Sequence, residues 1–338
     1  MKKVGIITYH FAKNYGAVLQ CYALQTYLSQ KGYEVTVFDF VSEKQRKNND
    51  VVKHGCSVKT AVANICLLPF AHSIRKKHTR CATFCQKNLQ LTQHFSTIES
   101  MQKYIAENKY SAIISGSDQV LNPNIDDFEL AFLFPFKTIA KKITYAASTG
   151  NASPDDIRKI QHYLDDFVKI SIREQKDIGK FDAKIAARLS VVCDPVMLLR
   201  ADAWNNMMEH PSEKPYLICY FLHKKLFCKE FAIAQKIAKE RGLELKVINA
   251  RFGPNSLRKG TIFDAGPGEF VNLIANASYV CTDSFHGTLF SLVFHKQFSS
   301  LDTKQNLHDT RKKGLLESVG ATAAYQNVED PLKICSTL

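Results

Sequence analysis

The chain has 338 residues, of which 45 are Lys or Arg and 32 are Asp or Glu, so its formal net charge is +13. Apolar side chains make up 45% of the residues and charged ones 23%, which is typical of soluble globular proteins. These values exclude a disordered tail, a collagen, a coiled coil and a disulfide-rich miniprotein. At roughly 100–200 residues per domain, the length predicts two domains.

The sequence contains no candidate for a membrane-spanning segment. The longest apolar run, Ala61–Ala71, is interrupted by Asn64 and Pro69, whereas a span needs about 20 apolar residues. The apolar run that follows Met1 is short, and no small-residue cleavage site follows it. We therefore expect a cytoplasmic protein whose ten cysteines are reduced.

The densest group of potential metal ligands is His78, Cys81, Cys85 and His94. Structural zinc sites usually have closely spaced cysteine pairs, and this sequence has no Cys-x-x-Cys motif. We expect these cysteines to be packed or half-exposed thiols, and we predict no metal site.

Basic residues are concentrated between residues 41 and 110. This segment has twelve Lys or Arg and four acids, and so carries +8 of the net +13. It could contact nucleic acid, an anionic membrane surface or a phosphorylated glycan lipid, or it could be a solvated, basic helical insertion. No helix-turn-helix, zinc-finger or RNA-binding signature is present, which disfavours nucleic acid. Peripheral contact with the inner face of an anionic membrane stays open.

The first 40 residues predict a strand, a helix and a second strand. An apolar run at Lys3–Tyr9 has strand length, Ala17–Gln30 has apolar residues at helical spacing, and Tyr33–Phe40 is again strand-like. The right-handed crossover of such a unit implies a parallel sheet. Ser153 followed by Pro154 marks the start of a later helix. Further strands are predicted at Tyr110–Ser115, Lys142–Ala147, Lys169–Arg173 and Leu189–Cys193.

A second alternation of strands and helices begins near Lys214, after a hinge predicted between Asp194 and Pro215. Its predicted strands are Tyr216–Leu222, Leu243–Asn249, Ser278–Ser284 and Phe298–Leu301, and its predicted helices are Leu226–Arg241, Glu269–Ala277, Thr288–His295 and Asp309–Val319. We therefore predict an α/β protein with two doubly wound, Rossmann-like domains facing a central cleft. The first covers residues 1–200, with the basic insertion at about 41–110. The second covers 214–320, and 321–338 form a C-terminal tail.

Ligands of open parallel sheets bind beyond the carboxyl ends of the strands, so the loops at those ends are the candidate sites. Asn14 and Gly16 precede the first helix, where backbone N–H groups can hold a carboxylate or phosphate, although a plain turn explains them equally well. In the string Ser115–Gln119, Ser117 can hydrogen-bond a sugar and Asp118 can accept a proton. The alternative for Asp118 is a cap of the next turn.

Arg173 ends a predicted strand and offers a planar fork for a carboxylate or phosphate. The alternative for Arg173 is an ion pair with Glu174 or Asp177.

The strongest candidate is Thr282–Thr288, in which a strand is followed by a polar turn with Ser284 and His286, a glycine and an apolar helix. This arrangement suits an anion at a helix N-terminus, and His286 adds a group that can donate a proton near neutral pH. Lys296 and Arg311 follow and are expected to add positive charge on the same side of the sheet.

Five strings in this order resemble the polysaccharide pyruvyl transferase family, and the resemblance extends from about residue 3 to residue 320. They are Asn14–Leu24, Ser115–Gln119, Ser171–Glu174, Cys193–Val196 and Thr282–Thr288. The main departure is Leu121, where the family commonly has a tryptophan, and the segment 41–110 matches least.

The resemblance implies a fold like that of two-domain, B-type glycosyltransferases. It implies transfer of a pyruvyl group from phosphoenolpyruvate onto two hydroxyls of one sugar, as a cyclic ketal. The acceptor would be a cell-surface polysaccharide or its precursor, which can be lipid-linked. The resemblance also implies that Arg173 and His286 bind the donor and that His286 donates the proton. Asp118 would be the base on the acceptor hydroxyl, with no cofactor or metal required.

Two other functions fit the same sequence. A nucleotide-sugar-dependent glycosyltransferase would have the same fold, and Glu269 could then grip the ribose of the nucleotide. A non-catalytic relative or basic adaptor would bind an anionic glycan or nucleic acid. The adaptor is disfavoured because it would not need both Arg173 and His286.

Overall fold

The computed structural model describes residues 1–11, 14–49, 64–207, 214–223, 225–249, 260–302 and 310–327. The chain divides into two compact units. The first unit consists of Met1–His54 and Ala82–Leu199, and the second of Gly55–Cys81 and Arg200–Leu338. No helix among the described residues combines the length and the apolar character needed to cross a membrane.

The first unit is built on a parallel sheet of seven strands. These are β1 (Lys3–Ile7), β2 (Glu34–Phe40), β3 (Leu91–Phe95), β4 (Ala112–Asp118), β5 (Lys141–Ala147), β6 (Phe167–Ile172) and β7 (Leu189–Val191). Their order in the sheet is β3-β2-β1-β4-β5-β6-β7. The chain order reverses between β1 and β4, and such a reversal opens a crevice at the carboxyl ends of the two strands.

The helices of the first unit connect these strands. They are α1 (Tyr15–Gln30), α2 (Glu43–Asn48), the second half of α3 (Ala71–Asn88), α4 (Ile98–Glu107), α5 (Pro154–Ile160) and α6 (Ala183–Ala186). Ser153 caps α5 as the sequence predicts, because its side chain accepts a hydrogen bond from the backbone N–H of Asp156. Aromatic and aliphatic side chains such as Phe38, Phe132 and Ile172 are fully buried around the sheet and form the core of this unit.

The second unit contains a parallel sheet of six strands. These are β8 (Tyr216–Tyr220), β9 (Glu244–Ile248), β10 (Thr261–Ile262), β11 (Tyr279–Thr282), β12 (Phe298–Asp302) and β13 (Tyr325–Asn327). Its helices are α7 (Phe227–Glu240), α8 (Pro267–Ala275), α9 (Phe285–Val293) and α10 (Thr310–Ser318). The order β10-β9-β8-β11-β12-β13 repeats the pattern of the first sheet, so the reversal here lies between β8 and β11. The prediction of two doubly wound, parallel-sheet units is thus confirmed.

Within the described residues, the basic segment 41–110 is divided between the two units and does not form a separate insertion, contrary to the sequence interpretation. Its strand β3 pairs with β2 at the edge of the first sheet, and α4 leads from β3 to β4. In the second unit, Lys76 and Arg80 form ion pairs with Asp264, and Arg80 also pairs with Glu269. Part of the positive charge is therefore neutralised within the protein and is not available to a membrane or a polyanion.

The boundary between the two units, at Leu199 and Arg200, falls within the predicted hinge, although parts of that hinge form 3₁₀ helices, whereas the predicted tail differs from the structure. Pro195–Leu198 forms a 3₁₀ helix that packs on α1 in the first unit, and Ala201–Met207 forms another in the second unit. In the latter, Trp204 is fully buried and its ring meets Phe290 edge to face at 5.0 Å. The predicted tail begins at residue 321, but Tyr325–Asn327 is the edge strand β13. The predicted tail residues 328–338 lie outside the described residues.

Candidate functional site

The turn after β11 is held rigidly at the reversal point of the second sheet. Ser284 is the N-cap of α9, and its side chain accepts a hydrogen bond from the backbone N–H of Gly287 at 3.3 Å. The backbone N–H of Ser284 in turn donates to Thr282 Oγ1 at 3.0 Å. The predicted ligand-binding hydroxyl of Ser284 therefore serves as a helix cap.

His286 lies in the first turn of α9, where the helix dipole favours negative charge. Its side chain is largely buried, with 8% of the residue exposed, and its ring meets Phe285 edge to face at 5.4 Å. The guanidinium of Arg311, on α10, lies 6.0 Å from the centre of the Phe285 ring. Two of the predicted donor-binding residues, His286 and Arg311, thus both contact Phe285.

Lys296 does not join this group, contrary to the sequence expectation. The nine residues of α9 carry the chain about 13 Å from its N-terminus. Lys296 then precedes β12, whose residue Phe298 is in register with Val280 near the start of β11. It therefore lies at the amino edge of the sheet, opposite to His286. Burial lowers the pKa of Lys296.

A buried lysine that the sequence analysis missed stabilises the turn through a hydrogen bond to its backbone. Lys312 is 1% exposed, and its Nζ donates to the carbonyls of Asp283 at 2.8 Å and Leu301 at 2.7 Å. The same Nζ lies 3.2 Å from Asp302 Oδ2. Lys312 thus ties the carboxyl end of β11 to the end of β12. Its position four residues before the buried Leu316, on one face of α10, is the signal that could have identified it.

Asp283 joins the loops that follow β8 and β11. Its two carboxylate oxygens accept hydrogen bonds from the backbone N–H groups of Leu222 and His223, each at 2.7 Å. The Nδ1 of His223 lies 2.8 Å from Asp283 Oδ2. The contact with Asp283 is the main reason that the pKa of His223 is raised above 6.5, although burial opposes it.

Glu230, on α7, reaches the same edge of the sheet. It is fully buried, and neither carboxylate oxygen has a hydrogen-bond partner among the described residues. Burial raises the pKa of Glu230 well above its ordinary range, and the negative charge of Asp283 adds to the shift. Its place on the buried face of α7, four residues before Ala234, is the sequence signal that was overlooked.

In the first unit, buried hydrogen bonds hold together the corresponding reversal point between β1 and β4. The side chain of Gln20, on α1, donates to Thr8 Oγ1 at 2.8 Å, and this hydroxyl donates to the Ser117 carbonyl at 3.1 Å. The Ser117 hydroxyl is fully buried and donates to the carbonyl of Ala146 at 3.1 Å. The predicted sugar contact of Ser117 is therefore replaced by contacts within the protein.

Asp118 lies at the carboxyl end of β4 and is half-buried. One of its oxygens accepts the backbone N–H of Gln119 at 2.9 Å. The nearby Tyr9 hydroxyl is buried and has no hydrogen-bond partner in the described part of the chain. Burial raises the pKa of Tyr9 well above 10.0, and the charge of Asp118 raises it further. Asp118 and Tyr9 thus both retain unused hydrogen-bonding capacity at this edge.

Arg173 is engaged in ion pairs and does not present an open fork. Its Nε donates to Glu174 Oε1 at 2.9 Å, and its NH1 donates to Asp194 Oδ2 at 2.7 Å. Burial disfavours the charged form, but Glu174, Asp194 and Asp118 outweigh it and raise the pKa of Arg173. The pairing with Glu174 was the alternative from the sequence, whereas the pairing with Asp194 was missed.

Asn14 and Gly16 form the start of α1. The Asn14 side chain accepts the backbone N–H of Gly16 at 3.0 Å and so caps the helix. The Gly16 N–H is therefore hydrogen-bonded within the protein. This agrees with the plain turn, which was one of the two alternatives for these residues.

Two members of the group His78, Cys81, Cys85 and His94 make contacts with other residues of the protein. Cys85 Sγ donates to the carbonyl of His10 at 3.4 Å, and His94 Nδ1 lies 3.4 Å from Asp39 Oδ2.

Three solved structures share the fold at low sequence identity. A UDP-N-acetylglucosamine 2-epimerase has a TM-score of 0.55 at 11% identity, over 100% of this chain and 87% of its own. The epimerase from Neisseria meningitidis, bound to UDP-GlcNAc, has a TM-score of 0.52 at 11% identity, over 100% of this chain and 90% of its own. The epimerase from Methanocaldococcus jannaschii, in complex with UDP-GlcNAc and UDP, has a TM-score of 0.51 at 12% identity, over 99% of this chain and 92% of its own. The fold is thus the Rossmann-like one of B-type glycosyltransferases.

The sequence itself identifies the family. No curated relative matches the sequence at a significant level. The family model described as polysaccharide pyruvyl transferase matches residues 14–305, which include all five strings noted above. The chain therefore belongs to the polysaccharide pyruvyl transferase family.

Proposed function

We propose that this protein transfers the pyruvyl group of phosphoenolpyruvate to a saccharide and forms a cyclic ketal on two hydroxyls of one sugar. Family membership supports an enzyme that modifies a polysaccharide. The observation that carries the donor assignment is the placement of His286 in the first turn of α9, beside Phe285 and Arg311. A dianionic or trianionic donor needs such a combination of a helix N-terminus and cationic groups.

In the proposed reaction, an acid protonates the methylene carbon of the enol, and the central carbon becomes oxocarbenium-like. One sugar hydroxyl adds to this carbon, the carbon–oxygen bond to phosphate breaks, and the second hydroxyl closes the ring. The two protons lost by the hydroxyls balance those gained by the methyl carbon and the leaving phosphate. We assign the acid to His286 and the base on the acceptor hydroxyl to Asp118.

Arg173 has a different proposed role from the one that the family resemblance implies. Its guanidinium is paired with two carboxylates and is only 4% exposed, so it is suited to positioning Asp194 and Glu174. The cation that we assign to the donor is Arg311, which is partly exposed at the start of α10.

Calorimetric titration with phosphoenolpyruvate tests the donor assignment. We expect saturable binding that Arg311→Ala weakens at least tenfold, because a charge-assisted contact to an anion is lost. Lys313→Ala is the matched control, since Lys313 is exposed on the same helix and pairs with Glu317. We expect this control to bind the donor like the wild type.

The same titration with UDP-N-acetylglucosamine tests the alternative of a nucleotide-sugar-dependent glycosyltransferase. Saturable binding of the nucleotide sugar without binding of phosphoenolpyruvate would replace our proposal with glycosyl transfer. Binding of neither donor would favour a non-catalytic, glycan-binding relative.

A further inference from the structure

Three side chains that can ligate metals converge at the carboxyl edge of the second sheet, apart from the contacts of His286 and Arg311. His223 follows β8, Glu230 lies on α7, and Asp283 follows β11. One ligand atom of each lies within 4.8 Å of those of the other two. No other group of three such side chains comes this close among the residues that the structure describes.

Glu230 gives an independent indication that this group can bind a ligand. It is 0% exposed, and both of its carboxylate oxygens lack hydrogen-bond partners within the described ranges. A buried polar group without a partner is costly, and protein structures rarely retain one without a reason. Because both oxygens are in this state, Glu230 retains its full capacity to ligate a cation.

The charges around the group favour a divalent cation. Glu230, Asp283 and Asp302 are each at most 3% exposed, and Lys312 is the buried cation between them at 1%. When all three carboxylates are ionised, as they are when they ligate a cation, they and the ammonium of Lys312 together carry two negative charges in a region of low dielectric constant. One divalent cation would balance them, whereas a buried and unbalanced charge is strongly unfavourable.

We propose that His223, Glu230 and Asp283 bind one divalent transition-metal ion of the Zn²⁺ or Mn²⁺ type. An imidazole nitrogen combined with carboxylate oxygens suits these ions, whereas Ca²⁺ and Mg²⁺ prefer ligand sets of oxygen alone. Ligand atoms about 2.0–2.2 Å from an ion lie about 3–3.5 Å from each other, so separations near the 4.8 Å limit would have to shorten when an ion binds. The His223 side chain is 41% exposed, which leaves a route for the ion and room for water as a further ligand.

The ion would link three elements of the second unit: the loop after β8, the helix α7 and the turn after β11. Asp283 directly precedes Ser284, the N-cap of the helix that carries His286. Metal binding would therefore stabilise this turn, whatever reaction the turn supports. The proposal does not rest on phosphoenolpyruvate as the donor.

The test is metal binding by the full chain after treatment with a chelator. We expect one equivalent of Zn²⁺ or Mn²⁺ to remain bound after desalting, as measured by elemental analysis, and to raise the melting temperature. Glu230→Gln and His223→Gln should each weaken binding at least tenfold. His223→Gln alters a half-exposed side chain, so it keeps the test valid if Glu230→Gln fails to fold.

Two control variants separate this site from adventitious binding. Cys228→Ser removes an exposed thiol two residues from Glu230, and Glu240→Gln alters an exposed carboxylate at the other end of α7. Both should keep the bound equivalent. The proposal is wrong if no equivalent is retained, or if the Glu230 and His223 variants bind metal like the wild type. Protons would then balance the buried carboxylates.

Discussion

Arg173 and Asp194 form a buried ion pair that joins the end of β6 to the start of a 3₁₀ helix. The NH1 of Arg173 lies 2.7 Å from Asp194 Oδ2, and the two side chains are 4% and 1% exposed. Asp194 also accepts the backbone N–H of Val196 at 3.0 Å, so the pair fixes the entry into that 3₁₀ helix. Arg173 therefore stabilises the fold, whereas sequence similarity alone would assign it to binding of the donor.

We expect Arg173→Met to destabilise the protein by about 3–5 kcal/mol, because Asp194 and Glu174 would remain buried without their cation. Urea denaturation measures the loss. Arg158→Met is the matched control: Arg158 forms an exposed pair with Asp155, and its loss should change stability by less than about 1 kcal/mol. If Arg173→Met were as stable as the control but bound phosphoenolpyruvate weakly, Arg173 would be a donor ligand after all.

Replacement of His286 by Gln should lower turnover by about 10²–10⁴-fold, the contribution typical of a general acid. The fold should persist, since Ser284 and Thr288 continue to organise the start of α9. Phosphate release from phosphoenolpyruvate with a panel of sugar acceptors measures turnover, and far-UV circular dichroism monitors the fold. His295→Gln alters an exposed residue just beyond the end of the same helix and is the control, which should be fully active. Normal turnover of the His286 variant would remove this residue from the mechanism.

Gly287 is required where α9 packs against β11. A Cβ at this position would lie 2.4 Å from Thr282 Oγ1, and this hydroxyl is fixed by its hydrogen bond to the Tyr220 carbonyl at 2.6 Å. We therefore expect Gly287→Ala to cost about 1–3 kcal/mol in thermal or urea unfolding.

Gly314→Ala is the control for Gly287→Ala, and we expect it to change stability in the opposite direction. Gly314 also lies within a helix, but no atom would approach its Cβ within 4 Å. This substitution should stabilise the protein by about 0.5–1 kcal/mol. Equal effects of the two substitutions would contradict the close packing of α9 on β11.

Asp39 should make the stability of the first unit depend on pH in the acid range. Burial raises its pKa, but hydrogen bonds and charges from His10 and His94 outweigh this effect and lower the pKa below 3.8. The folded state therefore binds this proton less readily than the unfolded state. The stability that Asp39 contributes is present above about pH 4 and is lost as the pH falls through its folded value.

Asp39→Asn tests this dependence. At neutral pH we expect a loss of about 0.5–1.5 kcal/mol, the value of a typical hydrogen bond. The difference from the wild type should shrink as the pH falls below 4, in urea denaturation at a series of pH values. A difference that stayed constant down to pH 2 would show that the carboxylate contributes nothing through its charge.

The sequence predicts well those features that depend on neighbouring residues. The cap of α5 and the alternation of strands and helices are local, and the sequence around Ser153 indicates that cap correctly. The start of α9 lies three residues before the predicted Thr288, and its cap Ser284 was predicted as a ligand-binding residue. Pairs of residues far apart in the chain leave no such pattern. Asp194 is 21 residues from Arg173, and Lys312 is 29 residues from Asp283.

Lys296 illustrates a different error. It was grouped with His286 because the two residues are close in sequence, although one helix separates them and takes the chain to the opposite edge of the sheet. The charge of the segment 41–110 alone was also misleading as an indication of an anionic partner. Lys76 and Arg80 form ion pairs with Asp264, which lies far away in the sequence.

The helix α3 belongs to both units, since the first unit resumes at Ala82, in the middle of Ala71–Asn88. The second unit is therefore not a continuous stretch of polypeptide. A fragment that starts at Arg200 would lack Arg80, and with it the partners of Asp264 and Glu269 and the donor to the Asp264 carbonyl. A single cut after Leu199 would therefore separate residues 55–81 from the rest of the unit to which they belong.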